Sequence, residues 1–148
     1  MRVIKAPNKI KHRIGEELIF LAGSIEMASA ENWQARITKG LSGNVVILNP
    51  RRDDWDSSWE QSMDNPQFRE QVEWELEAME KAHIILMYFD PNTKSPISLL
   101  ELGLFARERK LVVCCPEGFW RKGNVDIVCQ RYGVEQVSSL DALVNSVK

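Results

Sequence analysis

Glu101 is a carboxylate at an address that would normally belong to a leucine. In KSPISLLELGLFA, residues 94–106, it falls between Ile97 and Leu104 on one side and Phe105 on the other when a helix turns about 100° per residue. An unpaired carboxylate in such a place must raise its pKa, find a partner, or line a cavity where something binds. A purely structural role competes, because Ser98 to Glu101 fits the capping box S-x-x-E, in which the glutamate returns to the serine's own N–H. Ser95-Pro96 offers an earlier start, with serine at the N-cap and proline at the first helical position. From that start Glu101 is one turn too deep to cap anything. Periodicity leaves the two readings level. Leu99, Leu102 and Ala106 then form a second apolar stripe, and a helix apolar on two faces is buried on both, which favours the chemical role.

A second carboxylate lies on the preceding helix, residues 66–82. Phe68, Val72, Leu76 and Met79 make its core stripe, Glu73, Glu77 and Glu80 share a solvated flank, and Glu75 lies on the opposite flank. The simplest reading of Glu75 is one more surface glutamate of an acidic helix. Trp74 points away from the stripe, and together with the two-faced Glu101 helix it suggests a contact between subunits.

These residues need a framework, and the chain supplies an alternation. Strand-like runs at 18–22, 45–48, 84–89 and 111–115, with a weaker one at 134–137, are separated by helical patterns at 30–41, 66–82, 96–109, 125–132 and 140–147. Continuous apolar strands between helices indicate a parallel sheet covered on both faces. The expected class is α/β, a doubly wound, flavodoxin-like sandwich with five parallel strands, formed by residues 1–148 as a single domain in which 1–16 are an N-terminal extension. The length and a 44% hydrophobic content suit one core,. A net charge of −2 with scattered Lys and Arg gives no footprint for nucleic acid,. The N-terminal segment has no apolar signal region and no run is long enough to span a membrane, so a cytoplasmic protein with no membrane partner is expected. Cys114, Cys115 and Cys129 lack the spacing of a zinc site or a disulfide framework and read as reduced, buried fillers,.

In such sheets ligands bind beyond the carboxyl ends of the strands. That edge gathers Gly23 and Ser24 after the first run, Asn49, Arg51, Arg52, Asp54 and Trp55 after the second, Asp90 and Ser95 after the third, and residues 116–120 after the fourth. Residues 49–65 are too long for a plain connection and form a candidate functional loop. Arg51 and Arg52 offer a contact to phosphate, since the guanidinium fork matches phosphate oxygens, although a surface pair is the commoner explanation. There is no G-x-G-x-x-G and no Walker pattern. Neither a cofactor nor a metal is expected.

The opening IFLAG, the block WELEAMEKAHIILMYF and the segment SPISLLELGLFA together resemble the nucleoside 2-deoxyribosyltransferase-like family, in its small bacterial and phage members. The resemblance implies that Glu101, in the E-L-G helix after the third strand, is the nucleophile, and that Glu75, which stands where the family has an aspartate, or a residue of the Asp53-Asp54 loop is the acid or orienter. It also places Ser95 six residues before the nucleophile and matches Asn124 to the residue that enters the neighbouring subunit's site, so a homodimer or a multiple of dimers follows. The implied reaction is N-glycosidic bond cleavage or transfer on a nucleoside or nucleotide through a covalent glycosyl-enzyme. Two alternatives stand beside it: a nucleoside 5′-monophosphate N-glycosidase that uses water, and a non-catalytic nucleotide-binding or sensor protein on the same fold. The chain departs from the family pattern in having Ser-Ile-Glu-Met after the first-strand glycine and VNSVK at its end instead of aromatic residues. Trp33, Trp55, Trp59 and Trp120 are the candidates to replace them.

Overall fold

The computed structural model describes residues 1–25 and 32–148. Residues 30 and 31 of the first expected helix, and Glu26-Met27 of the departing stretch, lie outside the described residues. Six strands, β1 (Arg2–Lys5), β2 (Glu17–Gly23), β3 (Val45–Asn49), β4 (Ile84–Tyr88), β5 (Leu111–Cys114) and β6 (Glu135–Val137), form one parallel sheet in the order β1-β3-β2-β4-β5-β6. This is the expected flavodoxin-like arrangement with one strand more than the five expected. The addition is β1, which pairs Arg2 to Lys5 with Val46 to Asn49 inside the supposed extension. A four-residue edge strand with alternating burial carries too little apolar signal to be read from sequence,.

Side chains alternate along each strand, so the sheet has two cores. Leu18, Phe20 and Ala22 of β2 face α2 (Pro66–Lys81), α3 (Pro96–Phe105) and α4 (Lys122–Tyr132), whereas Ile19 and Leu21 face α1 (Trp33–Gly40) and α5 (Leu140–Asn145). The helix starts follow local chemistry. The Asn65 side chain accepts from Phe68 N at 3.0 Å ahead of Pro66, and the Ser139 side chain accepts from Ala142 N at 3.0 Å,. The chain leaves β2 through α1 to one side and leaves β3 through α2 to the other. The switch point therefore lies between the carboxyl ends of β2 and β4,.

Two expectations about helix faces are corrected. On α2 the buried residues are Gln71, Trp74, Ala78 and Met79, while Val72 is 37% exposed. Trp74 points inward, packs on Phe20 and donates its indole N–H to Asn8 O at 2.7 Å. The helix is rotated from the expected stripe because the large indole, with its one polar atom satisfied, removes more apolar area from water than Val72 would. On α3 the core face is Ser98, Glu101, Leu102 and Phe105, and the outer apolar face is Ile97, Leu100 and Leu104, each more than half exposed. The helix is two-faced as expected, but its uncovered stripe is not Leu99, Leu102 and Ala106.

Candidate active site

α3 begins at Pro96, which places Glu101 at its sixth residue and excludes the capping box,. Ser95 makes no side-chain cap either. Its backbone is left-handed (φ 45°) and its hydroxyl turns into the protein. There Ser24 Oγ lies 2.9 Å from Thr93 Oγ1 and contacts Ser95 Oγ, and Thr93 Oγ1 lies 2.7 Å from Ser95 Oγ. Asp90 N donates to Ser24 Oγ at 3.0 Å, and Thr93 Oγ1 donates to Asp90 O at 2.9 Å. All four residues are buried. This knot ties the end of β2 to the β4–α3 turn at the switch point and fixes the direction in which α3 departs. Gly23 precedes it with φ 146°, and a Cβ there would meet Tyr88 O at 2.2 Å. The glycine is required by the close approach of β4.

Glu101 is 6% exposed and no cation pairs with it among the described residues. Burial, helped by the nearby charge of Glu75, pushes its pKa up to about 8. Glu75, on the neighbouring helix, keeps part of its residue surface, yet its carboxyl lies deep enough among protein atoms to lose hydration and rise to about 7, against the pull of a hydrogen bond from Gln71. The two carboxyls form one interacting pair that retains a proton near neutral pH, because two adjacent buried anions repel. Of the two, Glu101 has the higher pKa and holds the proton longer, so an ionised Glu101 beside a protonated Glu75, a nucleophile beside an acid, is the form reached when the proton passes between them.

The loop after β3 is built rather than loose. Asn49 Oδ1 accepts from Arg51 N at 3.0 Å, and Arg51 Nε donates to Gln34 Oε1 at 2.8 Å. Arg52 binds Asp54 at 2.7 Å and Glu70 at 2.8 Å, and its guanidinium lies 5.0 Å from the Trp59 ring centre. Trp55 meets Trp59 edge-on at 5.0 Å and is 42% exposed. Trp33 is fully buried and bonded to Ser24 O at 3.0 Å, which leaves Trp55 and Trp120 as the exposed indoles of the four candidates. Trp120 donates to Lys94 O at 2.8 Å. Asp90 Oδ1 accepts from Asn92 N at 2.8 Å within its own turn. Asn124 lines a groove of about 300 Å³ between α3 and α4, with Leu99, Leu102, Gly103, Arg121, Val125 and Val128.

Residues 16–119 match the sequence profile of nucleoside 2-deoxyribosyltransferase-like proteins. The chain belongs to this nucleoside 2-deoxyribosyltransferase-like family. Membership indicates a nucleoside 2-deoxyribosyltransferase-like function, and the matched stretch contains both carboxylates of the pair, whereas β1 and Asn124 fall outside it. No curated protein matches the chain. Among the described residues no helix is long and apolar enough to cross a membrane, and Cys114, Cys115 and Cys129 are buried thiols raised to between about 11 and about 12 by desolvation. Thr93 braces the site through Ser24 and Ser95, Gln34 through Arg51 and Gln71 through Pro50, and none of the three is among the residues expected there from sequence. Only Gln71 carried a signal, as a polar residue one turn before Glu75 on a helix that must bury a face.

Proposed function

We propose that the protein cleaves the N-glycosidic bond of a nucleoside by double displacement. In the resting pair Glu101 has the higher pKa, so the reactive form is the one in which the shared proton has moved to Glu75. Glu101, then ionised, attacks C1′ of the sugar; the C1′–N bond breaks, an ester to Glu101 forms, and the proton of Glu75 passes to the departing base. A second base then attacks C1′ and yields a new nucleoside, or water attacks and yields the free sugar; the C1′–O bond of the ester breaks, Glu101 returns as a carboxylate, and Glu75 takes back a proton in either case. The observation that carries this reading is the unpaired, buried Glu101 next to a second buried carboxyl. Desolvation keeps the nucleophile unshielded, and an oxocarbenium-like transition state is the cation that such a site favours.

The substrate in this reading carries no phosphate, because Arg52 is occupied by Asp54 and Glu70 and Arg51 by Gln34. The active unit is a homo-oligomer in which Ile97, Leu100 and Leu104 of α3 and Ile127 of α4 meet a second copy, since these exposed apolar residues flank the Asn124 groove,. The test is a chromatographic screen of nucleosides, with and without an acceptor base, joined to mass spectrometry of the protein. Base exchange together with a glycosyl adduct on Glu101 supports the reading. Binding without turnover overturns it in favour of a sensor on the same fold.

A further inference from the structure

Gln71 is 6% exposed and projects from α2 one turn before Glu75. Its amide orientation follows from chemistry. Nε2 donates to Pro50 O at 2.8 Å, and a carbonyl oxygen only accepts, so the nitrogen must face Pro50. The same side chain lies close enough to Glu75 to pull its pKa down against the effect of burial. Nε2 is thus the end held by Pro50, and the free end is Oε1, an acceptor that is buried and has no donor among the described residues. A buried acceptor without a donor costs stability, and a ligand that brings an N–H removes that cost. Beside it, Glu75 is a donor whenever it holds the proton of the carboxyl pair. The two groups present a donor and an acceptor side by side on one face of α2.

We infer that Gln71 makes this site select a 6-aminopurine over a 6-oxopurine, its Oε1 accepting from the exocyclic amino group while Glu75 donates to N7. The inference rests on the reading of Glu75 as the acid given above. Adenine shows N7 as an acceptor next to N6–H₂ as a donor, whereas a 6-oxopurine shows two acceptors, N7 and O6. With adenine both protein groups are satisfied. With hypoxanthine O6 faces Oε1, lone pair against lone pair. The array also supplies a reason for discrimination to act on catalysis, because the Glu75 proton at N7 neutralises the departing base. Pro50, at the root of the 49–65 loop, holds the amide, so a base reaches Oε1 as this end of the loop yields.

Calorimetric titration of the intact protein with free adenine, purine and hypoxanthine tests the inference. The expected order of affinity is adenine, then purine, then hypoxanthine, with adenine about tenfold to a hundredfold above hypoxanthine. Gln71→Met should level the series while leaving the melting temperature close to wild type. Equal binding of the three bases, no binding of any, or a preference that survives in Gln71→Met would overturn the inference, and the wild-type series decides the matter if the variant fails to fold. Binding of a free base requires no bond cleavage. The series should therefore persist in Glu101→Gln, so that a wild-type protein without turnover would remove the proposed reaction while the base preference stands or falls by itself.

Discussion

Glu75 and Glu101 project from neighbouring helices so that the charge of one raises the pKa of the other, and burial raises both. A pair that shares its proton links activity and stability to the same pH range.

Removing the nucleophile's charge separates the two. Glu101→Gln should keep the fold and lower base exchange by about a thousandfold or more, because an amide cannot form the ester. Retention of a tenth of the wild-type rate in a steady-state assay would exclude Glu101 as the nucleophile.

Stability should fall as pH rises. Both folded pKa values, about 7 and about 8, lie above the ordinary 4.5, so the folded state holds more protons than the unfolded state between these limits. The stabilisation is complete below about pH 4.5 and is lost as pH climbs through 7 to 8. For Glu101 alone a shift from 4.5 to about 8 corresponds to on the order of 5 kcal/mol. Glu16, lowered to about 2 by Arg2, acts in the opposite sense but only below pH 4.5. Urea denaturation between pH 5 and pH 9 should show the decline in wild type and a flatter line in Glu101→Gln; parallel lines would contradict the burial of this carboxyl.

Glu75→Gln should lower kcat by roughly a hundredfold to ten-thousandfold for an ordinary base. A nucleoside whose base departs easily without a proton should lose far less. Equal losses across leaving groups would remove Glu75 from proton transfer and leave it as a neighbour of Glu101.

Arg52→Ala should act on the loop and not on phosphate. Loss of its contacts to Asp54, Glu70 and Trp59 should cost roughly 1–2 kcal/mol of stability and raise KM for nucleosides and their monophosphates by the same factor. A selective loss for monophosphates, reversed by no change in salt, would make Arg52 a phosphate ligand.

Leu100→Glu, on the outer face of α3, should give monomers by light scattering at micromolar concentration and lower the activity. Mixing Glu101→Ala with Asn124→Ala subunits should restore roughly a quarter of wild-type activity if the partner's asparagine completes the site and subunits exchange, since about half of randomly formed dimers are hybrid. A wild-type monomer would refute the shared site.

The sequence by itself determined the architecture and the nucleophile candidate. Apolar strand runs between helical patterns point to a doubly wound parallel sheet, and a glutamate within ISLLELGLF at 97–105, on a helix apolar on two faces, points to a buried carboxylate, although Ile97 and Leu104, which framed that expectation, face outward in the structure. Both are local patterns, legible because burial imposes a period on the chain. Tertiary structure alone decided the rest. It added β1, whose four residues are held by pairing with β3 and not by their own pattern. It turned Trp74 inward, because a hydrogen bond to Asn8, 66 residues away in sequence, satisfies the indole. It bound Ser95 to Ser24 and Thr93 instead of to its own helix. It also joined Gln71 to Pro50, and brought Glu75 close enough to Glu101 for one charge to act on the other. Each of these depends on distances between elements remote in sequence, and no periodicity within a helix or strand encodes such distances.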